Sequence, residues 1–428
     1  MIGTTPAGAG GWYALRIRRY LLAGIGPVAL AGTHFLVSFA MLRLDTPGAF
    51  GIFTFLFVAA QFTVALSNAL FGAPLQALPV ASAERKESDA SAIVNATVLA
   101  ALTVGVVFGA IALATGLWKA AAAWYGLYTA TMILRWVGRA WVYAADQPVR
   151  AAASDVTYAL VTLCAFLIGI KLVHAVPESA AYGALALGAG ISLIPFGPGF
   201  FRLLIARPGR RAGAIYRSIW QRHARWSLLG VVTMEAAANC HIYLVTVVAG
   251  APAIAPLAAA ALLLRPINVV QNALVDYERP QMARLFSAGA ANELRRTMRF
   301  FYLVLILVWL VSTVLAAGLI WYAPWLVISE SYDLGVVRQA TISWVLVTLC
   351  ILLQIPRGAL LQATGEFQAL ARATIWSSVV NVSSVAVTLM FLEPVWTIAA
   401  MCFGWLIDFA LIRRAADRQL EKLDPAIA

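Results

Sequence analysis

The sequence predicts an all-α polytopic membrane protein, with about twelve transmembrane helices in two six-helix lobes related by a parallel pseudo-two-fold repeat around a central cavity. Three observations carry this expectation. Of the 428 residues, 62% are hydrophobic and only 12% are charged, about half the charged share of a soluble domain, and the mean hydropathy is +0.84. The apolar residues gather into stretches of spanning length. The basic residues fall between those stretches in an alternating pattern. A water-soluble fold cannot cover so much apolar surface, and a chain this apolar does not stay disordered.

A spanning helix needs about 20 apolar residues. Such stretches run over 19–42, 49–71, 91–116, 120–144, 154–174, 180–204, 227–249, 251–275, 299–321, 338–361, 370–391 and 392–413. The first follows Arg16, Arg18 and Arg19, as in a secretory signal. It is too long for a signal core, and no small-residue cleavage site follows before Arg43, so a retained first span is expected. No connection is long enough for a folded domain outside the membrane. Cytoplasmic loops are enriched in Lys and Arg. With the N-terminus inside, the even-numbered connections and both tails hold 26 of the 31 Lys and Arg. The odd connections hold 4, and Arg265 lies within a span. This placement puts both termini in the cytoplasm and accounts for the net charge of +12 without a nucleic-acid partner. The cysteines Cys164, Cys240, Cys350 and Cys402 are scattered among spans, so neither a disulfide nor a metal site is expected.

The most polar connection carries Arg207, Arg210, Arg211, Arg217, Arg222 and Arg225 near the middle of the chain. It divides an N-terminal lobe, 1–205, from a C-terminal lobe, 227–428, with 206–226 as a basic cytoplasmic linker. The halves share a pattern. Ser67-Asn68-Ala69-Leu70 is followed by Pro74 and Gln76, and Gln271-Asn272-Ala273-Leu274 by Pro280 and Gln281. Arg139 and Arg357 each stand near the end of an equivalent span, ahead of a short turn at Asp146-Gln147-Pro148 or Thr364-Gly365-Glu366. Equivalent spans run in the same direction, so the repeat axis lies along the membrane normal. Two such halves around a cavity suit alternating access.

Arg265 is the sharpest chemical signal. A charge at that depth costs at least ~2.5 kcal/mol, so it must face water, a partner or the protein interior. Arg265, Asn268 and Asn272 are spaced i, i+3, i+7 and share one helical face, and Pro266 can bend the helix there. A planar guanidinium at mid-membrane suits phosphate or diphosphate oxygens; the competing role is a structural pair with a buried acid. The equivalent face of the second span reads Gln61, Val64, Asn68, where glutamine replaces the cation. Arg135 and Arg139 share a face near the cytoplasmic end. Either they snorkel to the interface or they form a basic vestibule, and Arg357 poses the same choice. Glu235 is the main intramembrane acid, with Asn239 one turn on. It can relay a proton or sodium ion, or form a salt bridge to Arg265 or Arg139. His34, four residues before Ser38, is a packing residue or a protonation site. His241 falls on a different face from Glu235 and is a packing residue or, as the second choice, a cavity-lining or protonation site. Asp155 and Asp408 are expected at the interface.

The chain carries no P-loop, GxSxG or HExxH motif and no paired carboxylates in a long loop. It is expected to be neither an ATP motor nor an enzyme. The loop from Gly72 to Ala90 lacks the basic signature of major facilitator transporters. The texture instead resembles the multidrug/oligosaccharidyl-lipid/polysaccharide exporter superfamily, and within it the polysaccharide flippases, including the O-antigen type. The resemblance rests on Leu264-Arg265-Pro266 with Asn272 and Pro280, on Leu134-Arg135-Trp136-Val137-Gly138-Arg139-Ala140, and on Gln362-Ala363-Thr364-Gly365. It implies transbilayer movement of undecaprenyl-diphosphate-linked oligosaccharide to the periplasmic leaflet of a bacterial inner membrane, with the diphosphate on cavity cations. It also implies a proton or sodium gradient as driving force, no other cofactor, and contact with membrane lipids. A polysaccharide polymerase and glycosyltransferases would be working partners. The first two spans lack Lys and Arg at mid-depth, unlike related peptidoglycan-precursor flippases. Two alternatives stay open. One is a cation-coupled exporter of drugs or small metabolites. The other is a polymerase or ligase subunit, which would need a larger outer loop than 322–337.

Overall fold

A computed structural model describes residues 9–76, 83–145, 147–205 and 212–423. Side chains before Val28 are described only at Gly26, and Asp146, Arg207, Arg210 and Arg211 lie outside the described residues. Twelve long helices follow one another. They are α1 (Ala9–Leu44), α2 (Pro47–Ser67, continued by a π turn at Asn68–Gly72), α3 (Ala83–Ala114), α4 (Lys119–Ala144), α5 (Pro148–Lys171) and α6 (Pro177–Ile191) in the first half. The second half holds α7 (Arg225–Ala249), α8, α9 (Ala291–Tyr322), α10 (Leu334–Ala363), α11 (Phe367–Phe391) and α12 (Trp396–Leu423). Helix α8 is broken into Ala251–Leu263 and Arg265–Ser287, bent by 53°. Short helices, Pro198–Ile205 and Ala212–Ile219, flank the central linker.

Local chemistry sets these boundaries. The Thr46 hydroxyl accepts from the Ala49 N–H at 3.3 Å, with Pro47 at the first helical position of α2, and Asp333 accepts from the Gly335 N–H at 2.8 Å to start α10; both are N-caps. Gly250, at φ +86°, ends α7 and lets α8 turn back at once, a conformation that glycine adopts without a Cβ clash. Among the described residues, nine of the long helices are apolar and long enough to cross a membrane, and the bent α8 makes a tenth. Two of the twelve expected spans differ. Only Val28–Leu44 of α1 counts as an apolar stretch, and α4 carries Lys119, Arg135 and Arg139 along its length.

The packing repeats between the halves. In the first half α3 packs on α4, α4 on α6, α5 on α6 and α1 on α5. In the second, α9 packs on α10, α10 on α12, α11 on α12 and α7 on α11. The contacts between halves exchange in the same way, α1 with the second segment of α8 and α7 with α2, while α2 packs on the first segment of α8. Adding six to each helix number maps one half onto the other, as a parallel two-fold requires. The equivalent helices α3 and α9 both lie at the periphery, with exposed apolar side chains such as Val106 and Leu303 suited to lipid contact.

Candidate functional site: a cavity at the break of α8

The axis region encloses two adjoining chambers of about 230 and 210 Å3. Arg265, Asn268 and Phe57 line both. The break in α8 puts them there. Leu264 ends the first segment, Arg265 opens the second, and Pro266 supplies the fixed φ of a first helical residue. A half-helix start carries the positive end of the backbone dipole, so peptide and side chain place positive potential at one point.

The Arg265 guanidinium lies 5.6 Å from the Phe57 ring centre, within cation–π range, and its Nη1 donates to Ser38 Oγ at 3.5 Å. No Asp or Glu carboxylate pairs with it among the described residues. The expected alternative, a bridge from Arg265 to Glu235, is not formed. Glu235 Oε1 instead accepts from the Tyr243 hydroxyl at 2.7 Å.

The smaller chamber brings together His34, Gln61, Arg265, Asn268 and Asn272. Gln61 and Arg265, equivalent by the sequence repeat, thus meet across one space. His34 Nε2 shares a 2.8 Å hydrogen bond with the Tyr158 hydroxyl, and Gln61 donates to the Tyr128 hydroxyl at 3.4 Å. The larger chamber is lined by Phe50, Phe53 and Phe57 from α2, Asn239 and His241 from α7, and Trp344 from α10.

Several expectations are corrected. Arg135 is fully buried and pairs with Asp155 at 2.5 Å. Arg139 binds the same carboxylate oxygen, and Arg135 also lies over the Tyr158 ring at 4.7 Å. Neither arginine is among the residues lining these two chambers, and Arg135, fully buried, does not snorkel. Asp155 and Asp408, expected at the interface, are 1% and 4% exposed; burial of Asp155 is supported by its two cations. Arg357 donates to the Tyr302 hydroxyl at 2.8 Å and lies 3.6 Å from Asp417, away from the cavity. Asn68 sits in the π turn of α2, exposed and outside both chambers. Glu235 lies outside them as well, although Asn239, one turn on, lines the larger. Cys350 and Cys402 both pack against the same apolar cluster of the second half.

Sequence reasoning missed the aromatic side of the cavity. Phe50, Phe53 and Phe57 have the same i, i+3, i+7 spacing that marked Arg265, Asn268 and Asn272. Of the two roles open to His241, the structure shows the cavity-lining one: it lines the larger chamber with its ring edge-on to Trp344, centroids 5.3 Å apart.

No family model and no curated protein matches the sequence. Solved structures do. The inward-facing and outward-facing conformations of a multidrug resistance MATE family transporter of the MOP superfamily superpose with TM-scores of 0.64 and 0.63, at 15% identity, covering 96% of both chains. A MOP superfamily transporter from Pyrococcus furiosus, described as having a binding pocket of reversed polarity that suggests a different function, gives 0.63 at 15% identity over 95% of both. The chain is a multi-pass helical membrane protein with the fold of the MOP superfamily transporters.

Proposed function

We propose that the protein is an alternating-access flippase for polyprenyl-diphosphate-linked oligosaccharide. In this reading it moves the lipid from the cytoplasmic to the periplasmic leaflet of a bacterial inner membrane, for extracellular polysaccharide. The observation that carries the reading is Arg265 at the cavity junction, which has no carboxylate partner among the described residues and shares the smaller chamber with the amides of Asn268 and Asn272. Arg265 is only part-exposed and has no carboxylate beside it among the described residues, so an anionic head group would find an available cation there. A diphosphate accepts from a guanidinium and from amides together, and the prenyl chain would remain in lipid beside α1 and α8. His34, Glu235 and Asn239 are the candidates for coupling to a proton or sodium gradient. A polysaccharide polymerase and glycosyltransferases would act before and after the transport step.

The second reading, a cation-coupled exporter of drugs or metabolites, is favoured by the likeness in fold to a multidrug resistance MATE family transporter. The chamber chemistry weighs against cationic substrates, because no Asp or Glu lines either chamber among the described residues. The test is translocation of a fluorescent polyprenyl-diphosphate oligosaccharide in proteoliposomes, under proton and sodium gradients, for wild type and Arg265→Ala. The expected result is flipping by the wild type and loss in a folded Arg265→Ala protein. Absence of flipping by the wild type under both gradients would overturn the proposal in favour of the exporter.

A further inference from the structure

We infer that the larger chamber is a subsite for one neutral sugar ring, the one attached directly to the diphosphate, with Trp344 and His241 as its specificity-determining residues. The inference deepens the reading above and rests on it for the placement of the diphosphate.

Four observations lead there. First, the chamber joins the smaller one at Arg265 and Asn268. An anion held at that junction has its next substituent at the mouth of the larger chamber. Second, about 230 Å3 falls below the ~300–1,000 Å3 of sites for drug-sized ligands, so the space admits one ring and not a chain of several. Third, the walls combine ring faces with isolated polar groups. Phe50, Phe53, Phe57 and Trp344 give apolar surface, and Asn239 and His241 give hydrogen-bonding groups. A pyranose needs both, an apolar face of C–H groups and a rim of hydroxyls. Apart from Arg265 at the mouth, no Lys, Arg, Asp or Glu lines the space among the described residues, which selects a neutral sugar over a uronic acid or an amine.

Fourth, the two decisive side chains are held in place by their neighbours, and His241 keeps one ring nitrogen without a partner. Trp344 Nε1 donates to the Leu257 carbonyl at 3.0 Å, which fixes the indole plane. His241 is 2% exposed and edge-on to that indole. Its Nδ1 is buried without a hydrogen-bond partner. A buried polar ring left unsatisfied is costly, and a sugar hydroxyl is both the donor and the acceptor that an imidazole can use.

The test is equilibrium binding to the purified full-length protein in lipid nanodiscs, with two probes. One is a short polyprenyl diphosphate. The other is the same lipid carrying a single N-acetylhexosamine, and both compete against a fluorescent polyprenyl diphosphate. The wild type should bind the sugar-bearing lipid about tenfold more tightly, the scale of one aromatic contact plus one hydrogen bond. Trp344→Ala and His241→Ala should bring that ratio towards one while leaving affinity for the bare diphosphate unchanged, and Trp344→Phe should restore part of it. Arg265→Ala should weaken both lipids alike. Equal affinity of the wild type for both lipids would overturn the subsite and leave the flippase reading standing. A Trp344→Phe or His241→Gln protein that loses both lipids equally would also overturn it, by showing that the side chains only shape the cavity. Failure of the wild type to bind either lipid would instead overturn the flippase reading.

Discussion

Gly51 offers a direct test of the proposed alternation between two arrangements of the halves. It lies in the second turn of α2 and faces the start of α8. A Cβ built there would sit 1.9 Å from the Ala251 carbonyl oxygen and 2.7 Å from its carbon. Real Cβ contacts essentially never fall under 3.0 Å, and the neighbour is backbone, so Gly51→Ala must part α2 from α8 by at least about 1.1 Å at this level. Overpacking of a close interface costs ~1–3 kcal/mol. If the contact belongs to one arrangement of the halves, that cost enters the equilibrium between arrangements, and ~1–3 kcal/mol corresponds to a population shift of about five- to 150-fold. The shift should favour the conformer in which the face bearing the α1–α2 turn is open. Spin labels at Thr46 and Ala249, both exposed, read that separation. The expected result is growth of a longer-distance component in Gly51→Ala, larger in Gly51→Leu, with slowed transport. An unchanged distance distribution in a folded Gly51→Leu protein would refute the reasoning, because it would show that the close approach is not particular to one state.

Other consequences follow from named contacts. Asp155→Asn leaves Arg135 buried without its carboxylate, and loss of one partner of a buried pair costs ~3–5 kcal/mol. Thermal unfolding in detergent should show a clear drop, and Arg135→Met with Asp155→Leu should recover most of it. Asp45, in the turn between α1 and α2, has its pKa raised from 3.8 to about 6 by burial and then by the Glu178 carboxylate, partly opposed by the Thr46 N–H. Ionised Asp45 is therefore disfavoured in the fold: its contribution to stability holds below the usual carboxylate range and declines as pH rises towards about 6. Asp45→Asn should flatten the stability profile over that window; an unchanged profile would remove Asp45 as the cause. Mild copper-phenanthroline oxidation should join Cys350 to Cys402, linking α10 to α12, and mass spectrometry of linked peptides should find that product in wild type and not in Cys402→Ser.

The architecture was legible because its signals are local. Apolar length can be read along one strand of text, and the helices pack in the same order in the first and second six. Helix faces were legible where one residue demanded an explanation, as with Arg265. The partners of buried charges were not. Sequence position gives a residue's depth in the membrane and not the neighbour it faces. Asp155 reads as interfacial beside Arg150 in the sequence, yet α5 turns it inward onto Arg135 and Arg139. Gly26 marks the cost of that arrangement, since a Cβ there would lie 2.6 Å from Asp155 Oδ2. The aromatic wall was overlooked for a related reason: phenylalanine at helical spacing is ordinary core, and only the break in α8 turns that face into a cavity lining.

The same contrast separates the arginines paired within the protein from the one proposed to bind substrate. Arg135, Arg139 and Arg265 all lie inside helices of the bundle, so each must offset the cost of leaving water. Arg135 and Arg139 do so within the protein, sharing Asp155, and that triad ties α4 to α5. Arg265 does not. Its neighbours are a serine hydroxyl at 3.5 Å and an aromatic face, both weaker than a carboxylate. Removing a triad member should therefore lower stability first, with transport failing through loss of fold. Removing Arg265 should leave the fold intact or more stable, because an uncompensated charge is taken away, and should lower transport selectively. Arg265→Met is the sharpest form of that comparison, since it keeps volume while deleting charge. A marked loss of thermal stability in Arg265→Met would place the residue among the structural cations and remove the main support for an anionic substrate.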